Sequence, residues 1–267
     1  MRLELGCLTR PWGDRPLEEA LAGIAAAGFQ TVGFTGYQGQ PLPSGEMTDR
    51  QLEDLRAMLG RYSLTPQASI SQPNIHRFDR PEAVRRFLRQ MEQAAALGMG
   101  YFILTGITDE SRYEEWAMAV ADCLGRAQEL GLYLVLKPHG GLSSLAKDLA
   151  KWVDRLSHPS FGICYDPGNI FYYTGENPVD DLPKIVGHVR ALCIKDEVGG
   201  KEGEVMITPG TGLVDFPRIF SILSEAGFSG PGWVECVGGA DLSEINAEAA
   251  KAHRFLSEVL AGIGPSA

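Results

Sequence analysis

Much is scarce or missing in this chain, and each lack narrows what it can be. No apolar run reaches the roughly 20 residues of a membrane-spanning helix. Met1 to Arg10 lack the long apolar stretch of a secretory signal, so a cytoplasmic chain with no membrane partner is expected. Cationic residues are the minority, 24 Lys and Arg against 34 Asp and Glu, for a formal net charge of −10. They form no stripe, which argues against nucleic acid as a partner. Cysteine is odd in number and scattered, at Cys7, Cys123, Cys164, Cys193 and Cys236, and most of the five lie inside apolar strand-like runs. That pattern fits reduced thiols and not a disulfide framework. No Gly-x-Gly-x-x-Gly follows the first strand-like run, so an open dinucleotide-binding sheet lacks support. Linkers and low-complexity stretches are also missing, and residues 1–267 read as one domain.

What is present is a repeat of short apolar strands and helical segments. The strands are expected in LELGCLT, FQTVGFT, PQASIS, GYFILTG, LYLVLKP, FGICYDP, ALCIKD and GWVECV. Helices are expected after them, among them Thr48 to Gly60 with Thr48 as N-cap, one opened by Asp79 and Pro81, and one from Ser143 to Leu156. Further helices are expected near Asn177-Pro178, over Asp215 to Gly227 and over Ala249 to Leu260. Eight such units describe an α/β chain closed into a (β/α)8 barrel.

Several strands end in polar residues, which places the chemistry at the carboxyl mouth of the barrel. Side chains alternate along a strand. Lys137 and His139 therefore share a face with Val135, Asp166 with Cys164, Lys195 with Cys193, Glu235 with Trp233, and Ser71 with Ser69. If these faces point inward, the mouth collects Lys137, His139, Asp166, Cys193, Lys195 and Glu235. Imidazole and carboxylates can hold a divalent cation, and amines and imidazole can move protons. Each residue also has a plainer reading. Asp166 opens a strong Asp-Pro-Gly turn, Cys193 suits a small buried hydrophobe, and Lys195 can pair with Asp196 or a neighbouring carboxylate.

The segments EEALAGIAAAGFQTVGF, QMEQAAALGMGYFIL, YDPGN, IKD and GTGLVDFPRIFSILSEAGFSGPGWVE resemble the sugar isomerase/epimerase family with a xylose-isomerase-like TIM barrel, which also includes the endonuclease IV type. The resemblance implies that barrel along essentially the whole chain. It also implies one divalent metal, held by a Glu ending strand five, an Asp ending strand six, a His on strand seven and a Glu on strand eight. Asp166 and Glu235 match that set, whereas Lys137 and Cys193 stand where a Glu and a His are implied. An ammonium cannot coordinate a metal. The expected ligands are accordingly His139, Asp166 and Glu235, for Mn, Mg or Zn; Cys193 could also bind as a thiolate, which would favour zinc. Without a metal, Lys137 would supply the positive charge.

The function these readings predict is isomerase, epimerase or related lyase chemistry on a small carbohydrate or keto-sugar, by proton abstraction next to a carbonyl. Lys137, Glu235 and Lys195 are the expected catalytic groups. Arg10, Trp12, Ser71, His76 and Asn169 are expected at the substrate. A Schiff-base aldolase using Lys137 and a non-catalytic sugar-binding barrel are the alternatives. The resemblance also makes a homo-oligomer reasonable.

Overall fold

The computed structural model describes residues 2–36 and 39–263; Met1, Tyr37, Gln38 and residues 264–267 lie outside the described residues. Strands β1 (Arg2–Leu8), β2 (Thr31–Phe34), β3 (Thr65–Ile70), β4 (Tyr101–Leu104), β5 (Tyr133–Leu136), β6 (Phe161–Tyr165), β7 (Val189–Ile194) and β8 (Ser229–Val234) close a barrel in chain order. Every neighbouring pair is parallel, including the closing pair β1 and β8. The helices α1 (Leu17–Ala26), α2 (Asp49–Arg61), α3 (Arg80–Ala96), α4 (Tyr113–Glu129), α5 (Ala146–Leu156), α6 (Pro167–Thr174), α7 (Pro178–Asp181), α8 (Phe216–Glu225) and α9 (Leu242–Gly262) lie in the connections and after β8. Among the described residues, no helix is long and apolar enough to cross a membrane.

Strand alternation divides the apolar residues into two cores. Leu134 and Leu136 of β5 pack with the helices, while Val135 between them turns into the barrel. The interior holds Leu8, Ala68, Ile103, Val135, Cys164, Ala191, Cys193 and Trp233. Trp233 is the bulk of this inner core. Its indole N–H donates to Gln67 Oε1 at 3.0 Å, and its ring meets Tyr101 edge-on at 5.5 Å. Gly6 leaves room for it, since a Cβ at that position would come within 2.6 Å of the indole.

Local chemistry sets the helix starts. Thr48 caps α2 in a reciprocal box with Gln51, and Asp79, Asp215 and Asp241 cap α3, α8 and α9. Two expected boundaries shift. The helix after β6 begins at Pro167, not near Asn177. Asp166 accepts the Asn169 N–H at 2.9 Å and Pro167 takes the first turn, so Asp-Pro-Gly opens a helix where a turn was expected. Gly175, at φ 75°, ends α6, and Asn177 then caps the short α7. The last helix carries Ala249 to Leu260 as expected and starts at Leu242, where Asp241 caps it. Helix α5 starts at Ala146, not Ser143: Ser143 is held in a turn whose carbonyl receives the His139 N–H at 2.9 Å.

Trp233→Ala is expected to lower unfolding stability by about 3–5 kcal/mol through loss of buried contacts and a cavity at the barrel centre. Urea denaturation of the two proteins checks this.

Candidate active site

Four charged residues just beyond the ends of consecutive strands meet at the mouth. Lys137 follows β5, Asp166 follows β6, Lys195 follows β7 and Glu235 follows β8. Lys137 Nζ lies 2.6 Å from Glu235 Oε2 and 3.3 Å from Asp166 Oδ2. Lys195 Nζ lies 3.3 Å from Asp166 Oδ2 and 3.3 Å from Glu235 Oε1. Each ammonium thus bridges both carboxylates. Arg10 approaches Glu235 Oε1 at 3.7 Å and also contacts the Cys236 sulfur. The four residues of the cluster are between 0% and 4% exposed, so water does little to screen these charges.

The tetrapeptide Asp166-Pro167-Gly168-Asn169 builds much of this geometry. Asp166 uses Oδ1 to cap α6, which leaves Oδ2 to face the two ammonium groups. Gly168 lies against Lys195, and a Cβ there would come within 2.7 Å of the Lys195 carbonyl oxygen and 2.8 Å of its Cγ. Asn169 accepts from Lys195 Nζ at 2.9 Å and donates to the Pro138 carbonyl at 2.6 Å, tying β7 to β5. Asp196, beside Lys195, accepts from the backbone N–H groups of Glu197, Gly210, Gly212 and Val214 at 2.9–3.0 Å. It shapes the glycine-rich loop and is not the partner of Lys195.

The electrostatics follow from burial and pairing. Burial alone would depress Lys137, but Glu235 foremost among its neighbours holds its pKa well above the ordinary lysine value. Burial also opposes the charge on Glu235; Lys137, then Lys195 and Arg10, outweigh it and keep the carboxyl well below the usual range. Asp166 is pushed up by burial against the pull of Lys195 and Lys137. His139 is pushed down to about 4, first by burial and then by Lys137 and Lys195, so its imidazole is neutral at physiological pH.

A cavity of about 1070 Å³ opens over this cluster. Lys137, His139 and Glu235 reach it from the β5 and β8 ends, while most of its wall comes from the segments after β1, β2 and β3 and from α3. Of the expected substrate residues, Arg10, Ser71 and His76 line it. Ser71 faces away from the barrel interior, where Ala68 and Ile70 of β3 point, and donates to Gln90 Oε1 on α3 at 2.7 Å. Trp12 is brought elsewhere: it is fully buried, and its indole N–H donates to Asn246 of α9 at 2.9 Å. Asn169 lies beneath the cavity as a brace for Lys195. Tyr173 had no signal in the sequence, yet its hydroxyl lies 3.4 Å from both ring nitrogens of His139. Gln72, also unforeseen, lines the wall and exchanges two hydrogen bonds with the Gly106 backbone.

A family model described as xylose isomerase-like TIM barrel matches residues 21–259. This chain belongs to that family. It is 26% identical over 166 residues to an inosose dehydratase of Clostridium beijerinckii, covering 54% of this chain and 55% of that protein. It is 28% identical over 153 residues to the L-ribulose-5-phosphate 3-epimerase UlaE of Salmonella paratyphi B, covering 57% of this chain and 52% of that protein. The chain thus spans about half the length of each of these curated relatives. A xylose isomerase-like TIM barrel protein from Mycobacterium smegmatis in complex with magnesium shares the fold, with a TM-score of 0.81 at 16% identity, covering 98% of this chain and 97% of that one.

A buried acidic cluster is therefore present in this member of the family. Ligand atoms of Asp166, Cys193 and Glu235 lie within 4.8 Å of one another; His139, expected among the ligands, does not join that group. The donor set does not fit a divalent ion. The two carboxylates already face two ammonium groups, and burial holds the Cys193 thiol far above its ordinary pKa and so protonated.

The His139 imidazole is expected to titrate near pH 4 when followed by NMR, well below an ordinary histidine. Its folded pKa is depressed, so its contribution to stability is complete above about pH 6.5 and is lost as the pH falls toward 4. His139→Gln should remove on the order of 2 kcal/mol of the acid-side loss, read from urea melts across that window.

Proposed function

We propose that this chain is a sugar isomerase or epimerase, or a closely related lyase, that acts on a small carbohydrate or keto-sugar by removing a proton next to a carbonyl. The observation that carries the reading is the buried Lys137–Glu235–Lys195–Asp166 cluster opening onto a large polar-walled cavity at the barrel mouth. The two relatives support it. One is a dehydratase and the other an epimerase, and both reactions can begin by abstraction of a proton beside a keto group.

In this reading the substrate carbonyl oxygen faces Lys137. A base takes the adjacent proton, the C–H electron pair forms the carbon–carbon double bond, and the carbonyl pair moves onto oxygen. The resulting enediolate oxygen is held by the Lys137 ammonium, with Lys195 behind it. The base is His139. It lines the cavity and it is uncharged, whereas the Glu235 carboxylate is committed to three cations. Return of the imidazolium proton to the neighbouring carbon gives the isomer, its transfer to a departing β-hydroxyl releases water and gives the dehydrated product, and a proton taken from solvent on the opposite face gives the epimer. Glu235 and Asp166 keep both amines protonated. Arg10, Ser71 and His76 are the wall groups that meet the sugar hydroxyls. A protonated amine is a poor nucleophile, which disfavours a Schiff base at Lys137.

Assay against a panel of aldoses, ketoses and keto-sugars should find turnover with exchange of the α-proton for solvent deuterium. Lys137→Met is expected to lower kcat by roughly 10²–10³ while a cooperative melt is retained. Near-wild-type activity would reduce Lys137 to scaffold. Borohydride trapping of a substrate adduct on Lys137 would mean imine chemistry, and saturable sugar binding without turnover would mean a binding barrel.

A further inference from the structure

We propose that this barrel takes no divalent cation at its mouth, because the Lys137 ammonium itself stands in the place and carries the charge of a metal with its strand-five carboxylate. The position is given by distance. Lys137 Nζ sits between Glu235 Oε2 at 2.6 Å and Asp166 Oδ2 at 3.3 Å, so the point from which one ion would reach both carboxylates is filled by nitrogen. The second ammonium closes the other side, bridging Asp166 Oδ2 and Glu235 Oε1 at 3.3 Å each. A cation added here would have to displace a buried ammonium that has no water to move into, since Lys137 is 1% exposed.

The formal charge agrees. The family resemblance implies a glutamate where Lys137 stands. One glutamate carboxylate and one divalent ion together carry a single positive charge, and so does one ammonium. Exchanging the pair for lysine leaves the charge of the mouth unchanged, and a divalent ion on top of Lys137 and Lys195 would leave two extra positive charges in a buried site. The remaining implied ligand has changed in the same direction: at the strand-seven position Cys193 lies among the interior apolar residues, with its sulfur 3.6 Å from that of Cys164. The chain has lost two donors while gaining the charge that they and a metal would have supplied.

This inference does not depend on which sugar is the substrate, and its test needs no turnover. Purified wild-type protein is titrated with Mn²⁺, binding being followed by the electron paramagnetic resonance of the free ion and by the melting temperature. No stoichiometric binding and no saturable rise in Tm are expected, with no metal retained on elemental analysis of gently purified protein. Binding of one equivalent by the wild type overturns the proposal. The double variant Lys137→Glu/Cys193→His is expected to gain a saturable Mn²⁺-dependent rise in Tm and to bind the ion roughly 100-fold or more tightly than the wild type. A variant that folds only when Mn²⁺ is added gives the same answer. Should it fold under neither condition, Lys137→Gln uncovers the two carboxylates without adding a charge. Mn²⁺ binding absent from wild type is then expected, and its absence from a folded variant overturns the proposal.

Discussion

The mutual neutralisation of two ammonium groups and two carboxylates at the barrel mouth is the constraint on which the rest of the site depends. Four charges buried to this extent are tolerable only as a set. Taking a single partner from a buried ion pair typically costs about 3–5 kcal/mol, because the charge left behind has neither water nor a counterion. The arrangement here is a closed square, Lys137 and Lys195 each touching both Asp166 and Glu235, so no charge depends on one partner alone. The consequences reach outward. His139 is held neutral by burial and then by the nearby ammonium groups, Asp166 is divided between a helix cap and the square, and Asn169 is committed to Lys195 and Pro138.

Most of the barrel was legible because its signals are local and repeated. An apolar strand with a polar residue at its end survives in any window of six or seven residues, and alternation then placed Lys137, Asp166, Lys195 and Glu235 on inward faces without knowledge of the helices. Parity grouped Ser71 with Ser69 but did not tell which face of β3 turns inward, and Ala68 and Ile70 are its interior residues. The boundary after β6 was misread because Asp-Pro-Gly suits both a turn and a capped helix start. Only the hydrogen bond from Asn169 N–H to Asp166 decides between them.

The pairings were less legible, because they are made between residues distant in the chain. Lys137 meets Glu235 across 98 positions, and nothing local in either segment announces the other. The sequence neighbours Lys195 and Asp196 suggested an ion pair, yet strand alternation sends them to different tasks, one to the square and one to four backbone N–H groups of a loop. Trp12 ends up against α9 because the last helix of the chain packs against α1 and against residues 10–12, which follow β1. Tyr173 reaches His139 only because α6 begins directly at Pro167, which brings its last turn over the β5 loop.

The division of the cavity into a charged base and a separately built wall has a consequence for how such a barrel diversifies. The charged square hangs from β5 to β8, and its supporting residues are packed against one another with no slack, Gly168 against Lys195 and Asn169 between two strands. Most of the wall hangs from β1 to β3 and α3, through side chains such as His76, Arg77 and Arg86 that make no contact with the square. Substitutions on that half can reshape what fits without disturbing the groups that would move protons. For laboratory evolution of new specificity, libraries confined to residues 35–36, 39–46 and 71–78 would explore ligand shape at little risk to chemistry, whereas randomising residues 166–169 would mostly sample proteins that have lost both.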